Sequence, residues 1–336
     1  MTAVNRQFRL SHRPIGEATR ENFEFVESAV PEPEDGQIVV QNEFISLDPA
    51  MRGWMNEGKS YVPPVGIGET MRAGAAGKVL ATKNPRFNTG DSVVGLFGVQ
   101  DFAVSDGKGV TVVDTRIAPL SAYLGVLGMP GMTAYFGLFE AGEYRDGDTV
   151  VVSGAAGAVG SVVGQLAKIR GSRVVGIAGG ADKCRHVVED LGFDACIDYK
   201  SGNLKAALRE HCPKGVDLYF DNVGGEILDT VLTQIRMHAR IVICGAISQY
   251  NNTTPVKGPS NYLALLVNRG TMRGMVVFDY AKRYGEAITQ MAQWIAEGKL
   301  HYREDIVDDL ATFPETLGKL FRGENTGKLL LRARAA

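Results

Sequence analysis

A glycine-rich string, Gly154-Ala155-Ala156-Gly157-Ala158-Val159-Gly160, follows the apolar run Thr149 to Ser153 and leads into a segment where Val159, Val162, Val163, Leu166 and Ala167 recur at helical spacing. Glycines at such a turn let the backbone bend sharply and approach a ligand without a Cβ, and the first amides of the helix lack intrahelical partners. A pyrophosphate fits that arrangement. The spacing is G-x-x-G-x-x-G, with Ala155 standing at the first glycine of the G-x-G-x-x-G fingerprint, and turns of this composition also arise for packing alone. Placement between a strand and a helix is what points to a dinucleotide.

The next strand, Arg173 to Ile177, ends in Ala178-Gly179-Gly180-Ala181-Asp182-Lys183. Enzymes that use NAD carry an Asp or Glu about twenty residues beyond the glycine turn, where it accepts from the ribose hydroxyls. Gly179 holds that place here, and Lys183 follows at the start of a helix, so the expected cofactor is NADP (NADPH) rather than NAD. Two other readings of these residues stay open: Asp182 as the ribose acceptor, and Lys183 as a solvated helix lysine.

These residues need a scaffold. Strands are expected at Thr149 to Ser153, Arg173 to Ile177, Cys196 to Asp198, Asp217 to Asp221, Arg240 to Cys244 and Met272 to Phe278, with helices between them. Strands alternating with helices imply an α/β fold built on a doubly wound parallel sheet of six strands. Ahead of this unit the pattern differs. Short apolar runs at Gln37 to Val40, Gly77 to Leu80, Ser92 to Phe97 and Gly109 to Val113 are broken by Pro31-Glu32-Pro33, Pro63-Pro64 and Thr89-Gly90-Asp91, which reads as a β-rich domain. Strands at Tyr302 to Ile306 and Lys328 to Arg332 are expected to rejoin it. The expected division is therefore 1–125 completed by 300–336, and 126–299.

Composition narrows the function classes. Lys and Arg number 36 against 38 Asp and Glu, with no basic stripe, so no field for nucleic acid or an anionic membrane is present. The opening thirty or so residues carry neither an apolar run nor a cleavage signal, and a cytoplasmic location is the default expectation. Cys184, Cys196, Cys212 and Cys244 include no C-x-x-C pair, and His12, His186, His211, His238 and His301 are scattered, so no metal site is expected. Cys244 reads as packing, because no base adjoins it in sequence. Arg52 is expected in a structural ion pair.

Several ordered blocks carry a family resemblance: Leu47-Asp48-Pro49-Ala50-Met51-Arg52-Gly53, Leu127-Gly128-Met129-Pro130-Gly131-Met132-Thr133-Ala134-Tyr135, Phe220-Asp221-Asn222-Val223-Gly224-Gly225, Cys244-Gly245-Ala246-Ile247-Ser248-Gln249-Tyr250-Asn251 and Gly323-Glu324-Asn325-Thr326-Gly327-Lys328. Over nearly its whole length the chain resembles the zinc-independent medium-chain dehydrogenase/reductases, within them the prostaglandin, alkenal double-bond and bacterial curcumin reductases. The resemblance implies a GroES-like catalytic domain, a Rossmann domain and an active site in the cleft between them. It also implies that Lys183 and Tyr199 hold the ribose phosphate of NADPH. Asn222, Cys244, Gly245, Ala246, Ile247, Ser248, Gln249, Tyr250, Met275, Val276, Val277 and Asn325 are implied to line the cofactor, with Met129 and Thr133 by the nicotinamide. Zinc-using cousins carry ligands near Met51 and near Met71-Arg72-Ala73, and this chain has none there.

The implied reaction is hydride transfer to the β-carbon of an α,β-unsaturated ketone or aldehyde. Charge then develops on the carbonyl oxygen and calls for a donor. Tyr250 follows the fifth strand, at the edge where open α/β sheets bind ligands, and is the first candidate; capping of backbone groups is its other reading. Tyr61, in Ser60-Tyr61-Val62-Pro63-Pro64, is a second candidate for touching the substrate, and the loop Asn261 to Leu266 a third wall of the pocket. A quinone reductase, an alcohol dehydrogenase and a non-catalytic NADPH-binding module are the competing readings. A homodimer joined at about Met272 to Phe278 follows from analogy.

Overall fold

The computed structural model describes residues 4–333. The chain divides into two compact units, Met1–Gly125 with Glu304–Ala336, and Val126–Arg303.

In the first unit a seven-stranded sheet runs Glu304–Asp308, Lys328–Arg332, Ile38–Ser46, Ala75–Thr82, Ser92–Gly95, Thr111–Val112, with Phe102–Ser105 also pairing Ile38–Ser46. The two strands from the end of the chain lie parallel to each other, and the second is antiparallel to Ile38–Ser46. Val4–Leu10 and Phe23–Ala29 form a separate antiparallel pair. The sequence did not announce these two strands, or Phe102–Ser105. Register slips between Asn42 and Phe44, opposite Gly77, where a Cβ would come within 2.0 Å of the Gln41 carbonyl oxygen. A bulge this close to a neighbouring strand admits only glycine. Ala76, Leu120, Leu124 and Leu330 close one core cluster.

The second unit runs α1 (Met129–Phe136), β1 (Thr149–Ser153), α2 (Gly160–Ile169), β2 (Arg173–Ala178), α3 (Ala181–Glu189), β3 (Ala195–Asp198), α4 (Leu204–His211), β4 (Val216–Asp221), α5 (Gly225–Leu232), β5 (Ile235–Ile243), α6 (Leu263–Asn268), β6 (Thr271–Gly274) and α7 (Tyr284–Ala296). The strands form one sheet in the order β3-β2-β1-β4-β5-β6, and every neighbouring pair is parallel. β1 is buried on both faces, and Val150, Val151 and Val152 read as an apolar run rather than as an alternation, while Leu218, Tyr219 and Phe220 do the same in β4 between Asp217 and Asp221. Val162, Val163, Leu166 and Ala167 turn the buried face of α2 inward, each at most 1% exposed. Cutting Leu166 back to Ala would cost about 2–5 kcal/mol.

Three expectations need correction. The strand expected over Met272 to Phe278 stops at Gly274, because its partner β5 ends at Ile243, opposite Gly274. Only the Met275 amide still reaches back, to the Ile243 carbonyl at 3.1 Å. The chain then coils into a 3₁₀ helix, Val277–Arg283, whose Tyr280 stacks on Phe136 with ring centres 5.0 Å apart. Second, the strand placed at Tyr302 to Ile306 runs Glu304–Asp308. Third, the stretch Asn261 to Leu266 is only partly loop: α6 begins at Leu263, and Asn261 is anchored to Asp229 at 2.7 Å.

Candidate functional site

The carboxyl ends of β1 to β6 carry most of the residues singled out in the second unit, while Met129 and Thr133 lie on α1. After β1, Gly154 takes a positive φ of 62°. Its carbonyl oxygen accepts from the Gly157 amide at 2.9 Å, closing the turn. A Cβ on Gly160 would lie 2.3 Å from that oxygen, so the third glycine is what lets α2 start against the turn. The Ser161 amide bonds back to Gly157 at 3.0 Å. The amides of Ala158, Val159 and Gly160 have no backbone acceptor among the described residues. Amides without a backbone acceptor at the start of a ten-residue helix are the arrangement that suits an anion.

A second cluster surrounds Gly179, just past β2. A Cβ there would meet Lys200 Cε and Tyr199 Cε1 at 2.9 Å and the Tyr199 hydroxyl at 3.0 Å, so both side chains lie across this glycine. Lys183 is the third residue of α3, which opens on Gly180 at φ 103°. Two carboxylates stand close in sequence, and both are engaged. Asp198 accepts from the amides of Gly180 at 2.8 Å and Lys200 at 2.9 Å, and these bonds, that to Gly180 foremost, hold its carboxyl below the usual range. Asp182 pairs with Arg185, which counts against the reading of Asp182 as a ribose acceptor. With the acids occupied, Lys200 and Tyr199 across Gly179 and Lys183 in the first turn of α3, the donor set fits a ribose phosphate. Lys200 was not singled out from the sequence; its only signal there was adjacency to Tyr199.

Asn222 follows β4. Its amide donates to Ser153 Oγ at 2.9 Å and its side-chain Nδ2 to the Ser153 carbonyl at 2.8 Å, which ties the two strand ends together. The stretch Cys244 to Tyr250 folds over this loop. Ile247 N reaches the Asn222 carbonyl at 3.2 Å, and Ser248 Oγ the Val223 carbonyl at 2.6 Å. Gly245, Ala246 and Gln249 complete the wall; Ala246 Cβ and Gln249 Oε1 come within 3.0 and 3.3 Å of where a Gly224 Cβ would be. Cys244 is half-buried, and desolvation, with the nearby Asp221, pushes its thiol up to about 12. The Tyr250 hydroxyl oxygen accepts the Ala246 amide at 3.1 Å and sits against Gly245. A phenol oxygen that accepts an N–H is a stronger donor through its own O–H, so the backbone cap and a donor role are compatible.

Met275 and Val276 lie between β6 and the 3₁₀ helix that Val277 opens, and the Val277 carbonyl accepts from the Tyr284 hydroxyl at 3.0 Å. Met129 opens α1, 41% exposed, and its carbonyl accepts from Thr133 Oγ1 at 2.8 Å. Tyr61 and Asn325 belong to the first unit. Tyr61 is 54% exposed in a segment without regular structure. Asn325 Nδ2 donates to the Gly327 carbonyl at 3.0 Å.

The expected ion pair of Arg52 is corrected. Its buried guanidinium donates to the carbonyls of Gly16 at 2.8 Å and Pro14 at 3.1 Å and to Asn56 Oδ1 at 2.6 Å, and burial lowers its pKa. Met51, Met71 and Ala73, where zinc ligands would stand in metal-using cousins, are buried core residues. Among the described residues no three His, Cys, Asp or Glu side chains come together to hold a metal ion. No helix among them is long and apolar enough to cross a membrane.

Comparison with known proteins agrees with this architecture. Residues 6–113 match the N-terminal domain of oxidoreductase and residues 158–297 the zinc-binding dehydrogenase domain. The chain is 42% identical to the NADPH-dependent curcumin reductase of Escherichia coli, covering 98% of this chain and 96% of that protein. It is 39% identical to rat prostaglandin reductase 1, covering 95% and 96%. The crystal structure of CurA from Vibrio vulnificus in complex with NADPH superposes with a TM-score of 0.94 at 43% identity, covering 98% of this chain and all of that one. With a GroES-like unit, a six-stranded parallel Rossmann sheet and this likeness over its whole length, the chain belongs to the medium-chain dehydrogenase/reductase family of oxidoreductases, in the group of the curcumin and prostaglandin reductases.

Proposed function

We propose that the protein is an NADPH-dependent reductase of the carbon–carbon double bond in α,β-unsaturated ketones and aldehydes. What carries the reading is the set of features at the carboxyl edge of the sheet: turn amides without a backbone acceptor after β1, Lys200 and Tyr199 about Gly179 with Lys183 in the first turn of α3, and the Tyr250 loop after β5. The chain bears them in a group whose named members include NADPH-dependent reductases.

In this reading the amides of Ala158, Val159 and Gly160 hold the pyrophosphate, and Lys183 and Tyr199, with Lys200, hold the ribose phosphate. Asn222, the stretch Cys244 to Tyr250, Met275 to Val277 and Asn325 line the dinucleotide, with Met129 and Thr133 beside its nicotinamide. When bound, NADPH supplies the hydride. The chain's own task is to hold the partners in register and to meet the charge that develops on the substrate's carbonyl oxygen. Tyr250 donates there, with the Ala246 amide steadying its oxygen, and passes a proton to that oxygen; the enol so formed takes a proton at its α-carbon and releases the one on oxygen to give the saturated carbonyl. Tyr61 contacts the substrate.

NADPH consumption with matched panels of enones, quinones and saturated ketones tests this. Turnover with enones is expected, and replacing Lys183 with Ala should cut the preference for NADPH over NADH by roughly tenfold or more. Consumption with quinones alone, or binding without turnover, would overturn the enone reading in favour of a quinone reductase or a binding module.

We also propose a homodimer joined along β6. This strand ends the sheet, and Leu263, Leu266 and Val267 of the neighbouring α6 are 56%, 75% and 67% exposed. Light scattering should give twice the chain mass, and Leu266→Glu should return it to one; a monomeric parent protein would sink the idea.

A further inference from the structure

Asp221 closes β4, and none of its surface is exposed. A buried carboxylate is costly unless it is paired or richly hydrogen-bonded. Here Oδ1 alone takes four neutral donors: Tyr219 OH at 2.7 Å, Ser153 Oγ at 2.9 Å, and the amides of Val223 and Gly224 at 3.0 Å. Its backbone carbonyl takes two more, the amides of Cys244 at 2.9 Å and Gly245 at 3.1 Å. The other carboxylate oxygen, Oδ2, is buried with no hydrogen-bond partner among the described residues. An apolar side chain would avoid the orphaned oxygen only by leaving four donors without an acceptor, two of them amides of the loop after β4.

The donors come from three separate stretches of chain. Ser153 precedes the glycine turn, Val223 and Gly224 belong to the loop after β4, and Cys244 and Gly245 begin the Tyr250 loop. Ser153 Oγ is a relay, since it donates to Asp221 and accepts from the Asn222 amide. We infer that Asp221 is a positioning residue of the cofactor site: one buried side chain and its carbonyl set the mutual places of the glycine turn, Asn222 and the Tyr250 loop. The inference rests on the NADPH reading above. Asp221 acts through its hydrogen-bond geometry, because it touches the site only by way of these neighbours.

The chemistry of the side chain supplies the test. In Asp221→Asn the amide oxygen can take the four donors and the NH₂ group falls where Oδ2 has no partner, so the conservative variant should rescue much of what Asp221→Ala loses. Ser153→Ala removes the relay alone and leaves the strand apolar, so it folds even where Asp221→Ala does not. NADPH affinity is measured by titration, alongside adenosine 2′-monophosphate, which addresses only the Lys183 end. We expect Ser153→Ala to weaken NADPH by roughly tenfold and Asp221→Ala by more, with Asp221→Asn between Ser153→Ala and the parent. The nucleoside monophosphate should bind all folded variants alike. NADPH affinity unchanged in Ser153→Ala, equal weakening of both ligands, or no rescue by Asn would overturn the inference. Failure of the unmodified protein to bind NADPH would instead remove the reading beneath it.

Discussion

Two buried aspartates sit at opposite ends of the parallel sheet and solve the same problem differently. Asp148, just ahead of β1 and 7% exposed, is paired with Arg240 of β5. The same guanidinium donates to the carbonyls of Asp217 at 3.1 Å, Gly142 at 3.2 Å and Glu143 at 3.3 Å. Every arm is used, and the charge is neutralised within the fold. Asp221, at the other end, counts no cation among its hydrogen-bond partners and collects hydroxyl and amide donors instead. Ligands of open α/β sheets bind at the carboxyl ends of the strands. The amino end can therefore be closed with a salt bridge, whereas at the carboxyl end Asp221 orders backbone loops through hydroxyl and amide donors.

The sharpest way to break that contrast is to remove Arg240. Arg240→Met strands Asp148 as an uncompensated buried charge and should cost about 3–5 kcal/mol, read as a large fall in the Tm of the full chain. NADPH affinity of the folded variant should stay at the parent level. A double variant, Asp148→Leu with Arg240→Met, should recover most of the stability, since apolar pairs of similar volume replace buried ion pairs at little cost. A stable Arg240→Met with weakened NADPH binding would show that the amino end also serves the site.

Lys200 probes the carboxyl end with a smaller effect. Its stem lies across Gly179, and its amide is fixed by Asp198. Lys200→Ala should weaken NADPH by about tenfold and leave NADH unchanged, the difference shrinking as salt screens an exposed cation. Equal loss for both cofactors would place Lys200 outside the phosphate subsite and leave Lys183 as the sole cation proposed there.

The same contrast explains what the sequence could and could not reveal. Strands buried on both faces are dominated by apolar residues, so the run Val150 to Val152 made Thr149–Ser153 legible to the residue. The glycine string was legible because a tight turn admits little else. Met275 to Val277 misled, since an apolar run reads as strand whether or not a partner continues, and β5 stops at Ile243. Arg52 misled because its partners are carbonyls of Pro14 and Gly16, and every residue carries a carbonyl. Asp221 drew notice only as part of a motif. Its role depends on Ser153 and Cys244, which sequence distance separates and strand order brings together.

The thiols give the gentlest test. Cys244 lies by Asp221, and burial with that carboxylate lifts it from the usual 9.0 to about 12. Cys212, at the amino end, is lifted mainly by burial and drawn down by Arg173, and reaches about 11. Each folded-state value lies above the unfolded one, so the unfolded chain ionises first as pH rises. The associated stability is complete below about 9 and is lost as pH climbs toward the folded values. Between pH 8 and pH 10, both thiols stay protonated in the folded protein while the unfolded chain loses its protons, a change worth about 1 kcal/mol per thiol. Cys244→Ala should therefore lose less Tm than the parent over that interval, and Cys212→Ala likewise. Above about 11 the two should part, because Cys212 then ionises within the fold while Cys244 does not. Identical alkaline profiles for Cys244→Ala and the parent would mean that Asp221 and its surroundings do not hold this thiol in the protonated form.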